Sequence, residues 1–203
     1  MSTTPSLVTR AHPEDDHLPE EHLAVVRDAV CGSPWLLEVL DAVASLPLPD
    51  VWVGAGAVRA VVWNALANEQ IDVAKLRDLD VVFFDPDGPV GDDRLAEQLA
   101  RRLGVECDVT NEAMVHRSYP ALFDREIEPF AGMHDAVASW PEPCSCVAVR
   151  REGSRLRVCA PLGLTDLIGQ RWRPNLASVT EEHSRQRFES KRIRQRWPEV
   201  TFG

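Results

Sequence analysis

Apolar residues recur at helical spacing near the start of the chain. Leu23, Val26 and Val30 lie in phase, which predicts a helix over residues 20–31, and a second helix is predicted over residues 34–46. Two prolines follow within the next three residues and end this segment, because proline cannot continue a helix. The chain therefore begins its ordered part with a helical pair.

The middle of the chain alternates between short apolar runs and segments of helical period. Residues 51–53 form a short apolar run that enters a turn of small residues, and a helical segment follows. The apolar face of that segment consists of Val58, Val61, Val62 and Leu66. Residues 81–84 are an uninterrupted run of Val and Phe, which is typical of a strand buried on both faces. This order of elements predicts an α/β core.

Local signals also predict the elements that follow this core strand. Asp92 or Asp93 can cap a helix that ends near residue 103, and Gly104 is suited to terminate it. The strand predicted next covers residues 105–110, where polar and apolar side chains alternate.

A hairpin and a short helix are predicted in the last third of the chain. Residues 146–149 and 156–159 read as two strands joined by a polar turn. Thr165 or Asp166 is predicted to cap the short helix that follows.

The pattern predicts one folded domain over residues 19–203. Its parts are a helical lead-in at 19–49, an α/β core at 50–161 and a C-terminal helical segment at 162–203. Residues 1–18 are polar, with Pro, Asp and His, and disorder is expected there.

Composition fits one compact enzyme domain. The 203 residues can bury a substantial core, and 44% hydrophobic with 27% charged residues is typical of globular proteins. No apolar stretch approaches the roughly 20 residues needed to span a membrane, and the N-terminus lacks a signal pattern, so no membrane partner is expected. The five cysteines favour reduced thiols in the cytoplasm. Cys144 and Cys146 read as core residues rather than zinc ligands, because no second pair stands at zinc spacing.

Charge is distributed unevenly along the chain. The net charge is −10, but residues 1–149 carry 10 Lys/Arg and 26 Asp/Glu, whereas residues 150–203 carry 12 Lys/Arg and 6 Asp/Glu. One interpretation of the basic end is a solvated helix whose aromatic residues dock on the core. The other is that these bases attract an anionic substrate such as an NTP or RNA.

Two acids stand directly in front of the central apolar run. In a strand Asp78 and Asp80 point to the same face, with α-carbons roughly 6.6 Å apart. Like charges at that separation repel by about 2–3 kcal/mol at an effective dielectric of about 20. A divalent cation would relieve this repulsion, and Mg²⁺ commonly lies between carboxylates and substrate phosphates. The alternative is that Asp begins the strand because turns favour it.

The glycine turn upstream supplies a second element. Strand, Gly54-Ala55-Gly56 turn and helix present backbone N–H groups and a positive helix end to an anion. Arg59, in the first turn of the helix, can add a bidentate guanidinium. The alternative is a tight turn with a surface arginine. The segment is neither a Walker A loop nor a dinucleotide-binding fingerprint.

Together these elements resemble the nucleotidyltransferase superfamily typified by DNA polymerase β, poly(A) polymerases and CCA-adding enzymes. More closely, the chain resembles an uncharacterised bacterial nucleotidyltransferase-like family, over roughly residues 35–200. The segments that carry the resemblance are Gly54–Leu66, Asp78–Asp85, Val109–His116, Ala136–Glu142, Ala160–Leu167 and Arg173–Asn175.

The resemblance implies a fold and a reaction. The fold would be α/β (α+β): a polymerase-β-like core with a mixed sheet, flanking helices and extra N- and C-terminal helices. The reaction would be metal-dependent transfer of a nucleotidyl group from an NTP to an RNA, protein or small-molecule acceptor. Asp78 and Asp80 would hold Mg²⁺ or Mn²⁺, while Gly54 and Gly56 would hold the triphosphate with Arg59 close by. The alternative is a catalytically inactive nucleotidyltransferase fold that acts as a binding or regulatory module.

The superfamily usually adds a third carboxylate from a neighbouring strand. Within residues 105–110, alternation puts Asp108 on the face that a third ligand would use, and Asp108 is our prediction. Asp85 is a rival, but the proline after it favours a turn. Asn111 and His116 are possible substrate contacts, although a hydrogen-bonded structural histidine is the alternative.

Overall fold

A six-stranded mixed sheet organises the protein. The computed structural model describes residues 8–11, 13, 17–118 and 126–203. The strands are β1 (Val8–Ala11), β2 (Trp52–Gly54), β3 (Leu79–Phe83), β4 (Cys107–Asn111), β5 (Ala148–Glu152) and β6 (Arg155–Cys159). Their order in the sheet is β1-β6-β5-β2-β3-β4. The β1–β6 and β3–β4 pairs are parallel, and the other pairs are antiparallel.

Helices pack around this sheet and extend it at both ends. They are α1 (Glu20–Cys31), α2 (Pro34–Ala44), α3 (Ala55–Leu66), α4 (Asp93–Leu103), α5 (Met133–Ala138), α6 (Thr165–Ile168), α7 (Glu181–Ser190) and α8 (Ile193–Arg196). Short 3₁₀ turns cover Val73–Lys75, Glu112–Met114 and Pro143–Ser145. Near the C-terminus β7 (Arg171–Trp172) pairs in parallel with β8 (Thr201–Phe202). The mixed sheet with flanking helices confirms the predicted α/β fold.

Helix α3 is the centre of the core. It is buried over residues 57–63 and contacts α1, α6 and strands of the sheet. Trp63 of this helix is fully buried, and its Nε1 donates to the Leu167 carbonyl at 2.8 Å. The C-terminal segment packs on the same helix, because Trp197 meets Trp63 edge to face at 5.1 Å and donates to Asn64 Oδ1 at 3.0 Å. The C-terminal half of α3 is therefore held in place from several directions.

Most predicted elements are present, with small differences in their ends. The Asp92 side chain caps α4 through the Leu95 N–H, and Gly104 ends that helix in the left-handed conformation at φ 68°. The hairpin strands run further than predicted, so its turn is reduced to Gly153 and Ser154. Helix α2 ends two residues earlier than predicted.

The predicted cap of α6 is wrong. The N-cap residue is Leu164, which has no capping side chain. Asp166 instead accepts two hydrogen bonds from Arg173 Nε, at 3.1 and 3.0 Å. This buried carboxylate pairs with an arginine seven residues further along the chain, which a local capping pattern does not reveal.

The expectation of disorder over residues 1–18 does not extend to Val8–Ala11. This segment forms β1 and pairs in parallel with β6. Pairing satisfies backbone groups that β6 would otherwise leave open at the edge of the sheet. Most of the remaining residues before α1 lie outside the described part of the chain.

The thiols lie inside the protein. Cys144, Cys146 and Cys159 are buried, and Cys31 and Cys107 are partly buried. Burial raises the pKa of the Cys144 thiol to about 12. These thiols act as small apolar residues rather than reactive groups. Within the described ranges, no helix is long and apolar enough to cross a membrane.

The turn between β2 and α3 contains a strained residue. Ala55 has φ 50°, a left-handed conformation that costs a residue with a Cβ roughly 1–2 kcal/mol. The Ala55 N–H donates to the Val147 carbonyl at 3.1 Å, which ties the turn to the residue just before β5. The strain allows the chain to turn sharply from strand to helix.

We expect Ala55→Gly to raise the free energy of unfolding by about 0.5–1 kcal/mol. The substitution removes the left-handed strain, and the extra chain entropy of glycine offsets part of the gain. The matched control is Ala65→Gly in the exposed last turn of the same helix, which should lower stability by about 0.5–1 kcal/mol. Urea unfolding would measure both, and a destabilised Ala55→Gly protein would contradict the strain.

Candidate active site

A cleft of about 1560 Å³ opens between the sheet and α7. One wall is formed by the start of α3 and by β3 and β4. The opposite wall is one face of α7 together with the chain that leads into it. The loop after α5 closes the side of the cleft with Trp140 and Pro141.

The three predicted acids line this cleft together. Strands β3 and β4 are parallel, and their register puts Asp80 opposite Asp108. Asp78 is exposed immediately before β3, two residues from Asp80 and on the same side. Asp108 is exposed within the cleft, where its Oδ2 accepts from Thr110 Oγ1 at 3.1 Å. The sheet thus brings together two acids from one strand and one from its neighbour.

Asp80 lies at the electrostatic centre of this group. Burial raises the pKa of Asp80 to about 6, and repulsion from Asp78 and Asp108 adds to the rise. The charge of Lys191 and a hydrogen bond from the Gly56 N–H act in the opposite direction. The carboxylate therefore sits where negative charge is crowded and where a cation would be stabilised.

The glycine turn reaches the acids through Gly56. A Cβ built on Gly56 would lie 3.9 Å from both Asp80 Oδ2 and Arg59 Nη2. The N-cap residue Gly54 offers no side chain to the first amides of α3. The Asp80 carboxylate accepts a hydrogen bond from one of these amides, the Gly56 N–H. A side chain of β3 therefore caps the start of α3 across the turn.

Gly54 has a different position from the one expected of a phosphate-binding residue. A Cβ on Gly54 would lie 2.3 Å from a ring carbon of Trp140, so no other residue fits without moving the indole. Gly54 lies behind the Trp140 ring, and the residues lining the cleft from this turn are Ala55 and Gly56. We interpret Gly54 as a packing position.

Glu112 is a site residue that the sequence reasoning missed. Its carboxylate is buried beside the cleft and accepts a hydrogen bond from Trp140 Nε1 at 3.1 Å. Burial raises the pKa of Glu112 to about 7; the Trp140 hydrogen bond opposes the rise, and the charges of Asp80 and Asp108 add to it. The sequence signal that could have identified Glu112 is its position just after β4, on the same side of the strand as Asp108.

Arg59 lies inside the protein rather than on the surface. Its guanidinium packs 5.3 Å from the Trp63 ring and 4.9 Å from the Trp172 ring, and Nη1 donates to Ser145 Oγ. The residue is 5% exposed, and Nε has no hydrogen-bond partner among the described residues. Desolvation lowers the pKa of Arg59, although the group stays charged. The alternative of a surface arginine is therefore wrong, and Arg59 contributes to the cleft wall from within.

Helix α7 places two more cations on the opposite wall. Arg187 donates from Nε to Glu142 Oε1 at 2.8 Å and from Nη2 to Glu142 Oε2 at 3.2 Å, and Glu142 is fully buried. Lys191, just after the helix, is half-buried in the cleft. The aromatic residues of the basic C-terminal segment dock on the core, as one interpretation predicted, and these two bases line the cleft that holds the acids.

The remaining predicted residues have other positions. Asn111 is fully buried, accepts from the Asp85 N–H and donates to the carbonyls of Asp85 and Pro89, so its amide is used within the fold. Asp85 Oδ1 accepts from the Asp87 N–H, as expected of a turn residue. His116 is half-buried just beyond the 3₁₀ turn that follows β4, and neither Asn111 nor His116 is among the described residues lining the cleft.

The donor set fits a hard divalent cation in part. Asp78, Asp80 and Asp108 offer carboxylate oxygens, the ligands that Mg²⁺ and Mn²⁺ prefer. In the described part of the chain, no three His, Cys, Asp or Glu side chains lie close enough to form a complete metal site. Mg²⁺ usually takes one or two carboxylates and fills its shell with water and substrate phosphates. The acids fit that incomplete kind of site.

Comparison with known proteins agrees with this geometry. A family model described as nucleotidyltransferase matches residues 41–202. A solved structure described as an NMR structure that reveals a CCA-adding enzyme head domain superposes with a TM-score of 0.72 at 25% identity, over 88% of this chain and 94% of that chain. A tRNA-processing enzyme in an apo form gives a TM-score of 0.37 at 15% identity, over 77% of this chain and 37% of that chain, and carries no argument. Comparison with curated proteins gives no match.

We expect Gly54→Ala to lower the free energy of unfolding by about 1–3 kcal/mol, because the new methyl group overlaps the Trp140 ring. In a Trp140→Ala background the same change should cost less than about 1 kcal/mol. Urea unfolding of the four proteins gives the coupling between the two positions. An equal cost in both backgrounds would show that Gly54 is required for another reason.

We expect the free energy of unfolding of the metal-free protein to depend on pH through the ionisation of Glu112. Its pKa is raised from 4.5 to about 7, so folding favours the protonated form. This contribution is fully present below pH 4.5 and is lost as the pH rises through about 7. Between about pH 4.5 and about pH 8, the free energy of unfolding of Glu112→Gln should rise relative to that of the wild type by on the order of 3 kcal/mol.

Denaturant unfolding in EDTA across this pH range measures the difference. The amide introduced by Glu112→Gln keeps an acceptor for the Trp140 indole, so the comparison isolates the charge. The control is Glu106→Gln at an exposed position close by, whose difference from the wild type should stay flat. A flat difference for Glu112→Gln as well would contradict the burial of this carboxyl.

Proposed function

The chain belongs to the nucleotidyltransferase family, and from that premise we propose that it transfers a nucleotidyl group from an NTP to an acceptor with the help of Mg²⁺ or Mn²⁺. The observation that carries the proposal is the convergence of Asp78, Asp80 and Asp108 in one cleft at the Gly56 end of α3. No folding requirement explains three acids at this point, since their repulsion opposes folding. A cation bound together with a phosphorylated substrate does.

The reaction exchanges one bond at phosphorus for another. A nucleophilic oxygen of the acceptor attacks the α-phosphorus of the NTP, and the bond from that phosphorus to the oxygen bridging to the β-phosphate breaks. The electron pair of that bond leaves with pyrophosphate. The proton of the acceptor hydroxyl passes to Asp108, which is exposed in the cleft and carries no cationic partner among the described residues.

Each side chain has a separate task in this scheme. Asp78 and Asp80 hold the divalent cation, which when bound offsets the charge of the phosphates and favours displacement at phosphorus. The Gly56 end of α3 approaches the phosphates closely because no side chain intervenes. Arg59 adds a fixed positive charge behind this end of the helix.

The acceptor is the least determined part of the proposal. RNA, protein and small-molecule acceptors are all compatible with an open cleft of this size. We favour an RNA hydroxyl, because the structure with a TM-score of 0.72 is described as a CCA-adding enzyme head domain. The acidic surface of residues 1–149 argues against extended wrapping of nucleic acid, so a local contact with an RNA end is expected.

We expect label transfer from at least one α-labelled NTP when the protein is incubated with Mg²⁺ or Mn²⁺ and with total RNA, total protein or a metabolite extract. Asp80→Asn keeps the size of the side chain but removes its charge. It should reduce the rate of transfer by on the order of a hundredfold or more. The reason is that the variant loses several kcal/mol of electrostatic stabilisation at the reacting phosphate.

The matched control for this experiment is Asp87→Asn, which removes an exposed acid from the turn after β3 and should leave transfer unchanged. Transfer in the Asp80→Asn protein at the wild-type rate would exclude the acid group as the catalytic centre. Absence of any labelled acceptor, combined with nucleotide binding that ignores the metal, would instead favour an inactive binding module.

A further inference from the structure

A group of three cations lies in the same cleft as the acids, one on α3 and two on or just after α7. Arg59, Arg187 and Lys191 all line the cleft. Each lies close enough to the next for repulsion between them to count, since Arg59 and Arg187 both lower the pKa of Lys191 after the larger effect of burial. Burying like charges costs free energy unless counter-charges are present. The cluster therefore needs an anion.

The anions present in the fold satisfy only part of this need. Glu142 is fully buried behind the cleft wall, where it binds Arg187 with both carboxylate oxygens. Arg59 has a hydroxyl partner, Ser145, and a buried Nε without a hydrogen-bond partner among the residues described. Lys191 forms no hydrogen bond or ion pair through its side chain within the described ranges, although Asp78 and Asp80 attract it. Among the described residues this group thus pairs directly with one carboxylate, Glu142, while the acids of the cleft act on Arg59 and Lys191 without a direct ion pair.

Helix α7 presents these groups in a fixed arrangement. Phe188 packs edge to face on Trp172 at 5.7 Å, which anchors the helix on the core. Arg187 is adjacent in sequence, and Lys191 is one helical turn further on, on the same side. The bidentate contact with Glu142 orients the Arg187 guanidinium. The Arg187 side chain nevertheless remains 39% exposed, and it lines the cleft. The Arg187 guanidinium is therefore oriented before a ligand binds, and the Lys191 ammonium lies on the same side of the helix without a hydrogen-bond partner among the described residues.

We propose that Arg187 and Lys191 bind the β- and γ-phosphates of the NTP, so that α7 forms a dedicated pyrophosphate subsite opposite the acids. The proposal rests on the nucleotidyl transfer proposed above and assigns the C-terminal helix a part in it. The two phosphates carry the charge that the cluster lacks, and they gain a further negative charge when the bond to the α-phosphate breaks. Arg59 lies at the Gly56 end of the same path and completes it.

The depth of the cluster favours a triphosphate over a nucleic-acid backbone as the source of these phosphates. Arg59 is almost fully buried and Lys191 is half-buried, so a polymer running past would not reach both. The end of a flexible triphosphate can reach both residues. The bases exposed on the outer surface of this segment, Arg192 and Arg194, lie outside the cleft lining among the described residues.

The test measures binding rather than turnover. Isothermal titration calorimetry with Mg²⁺-pyrophosphate, the four NTPs, the four NMPs and a short single-stranded RNA would be run on the wild type, Lys191→Met and Arg194→Met. We expect Lys191→Met to weaken binding of pyrophosphate and of the preferred NTP by about tenfold or more, because a charged hydrogen bond to phosphate is lost. NMP affinity should change by less than about twofold. Arg194→Met removes the same charge from the exposed surface and should leave all affinities close to those of the wild type.

Several outcomes would overturn the subsite. Equal losses in Lys191→Met and Arg194→Met would show only a general charge effect. Loss of RNA affinity with intact pyrophosphate affinity would assign Lys191 to the acceptor. Unchanged affinities in Lys191→Met would remove it from the site, while a wild type that binds neither pyrophosphate nor any NTP would contradict the proposed function itself.

A second variant tests Arg187 without disturbing the core. Removing this side chain would leave the buried Glu142 carboxylate unpaired, so Arg187→Lys is used instead, which keeps the charge and loses the planar pair of donors. We expect weaker pyrophosphate binding with an unchanged far-UV circular dichroism spectrum. Full pyrophosphate affinity in Arg187→Lys would contradict the part proposed for the Arg187 guanidinium in binding these phosphates.

Discussion

The N-terminal end of α3 meets β3 at one hydrogen bond, from the Gly56 N–H to the Asp80 carboxylate. The rest of the site depends on this contact. The strained Ala55 turn directs the helix end toward the strand, and Gly56 lies next to both Asp80 and Arg59. A carboxylate that caps a helix from a neighbouring strand is oriented by that contact, which suits the cation-binding role proposed for Asp80.

The two halves of the charge distribution meet across this contact. The acidic part of the chain supplies Asp78, Asp80 and Asp108, and the basic C-terminal segment supplies Arg187 and Lys191. Aromatic packing of the C-terminal segment on α3 makes the meeting possible, because the edge-to-face contact of Trp197 with Trp63 brings the two parts of the chain together. In the proposed reaction, substrate charge rather than fold stability is the reason that unlike charges are kept apart by a cleft instead of being paired. A metal and a triphosphate would fill that gap from opposite sides.

The local pattern predicted the acids well because strand alternation is a rule of short range. It placed Asp78 and Asp80 on one side, and the same rule for the next strand placed Asp108 there, which the parallel register then aligned with Asp80. It did not find Glu112 or Glu142, because a buried carboxylate is recognised by partners distant in sequence, an indole 28 residues away and a guanidinium 45 residues away. For the same reason Gly54 was interpreted as a phosphate contact, whereas a tryptophan far along the chain accounts for the glycine.

The sequence by itself determined the order of the core elements, a helix cap at Asp92 or Asp93, the helix end at Gly104 and the side of the strand on which the acids lie, since each depends on residues a few positions apart. Only the tertiary structure decided which of those residues share a cleft. The burial of Arg59, the pairing of Arg187 with Glu142 and the approach of Lys191 to the acids arise from packing between distant segments. Packing and desolvation act through space, so the pattern along the chain carries no direct record of them.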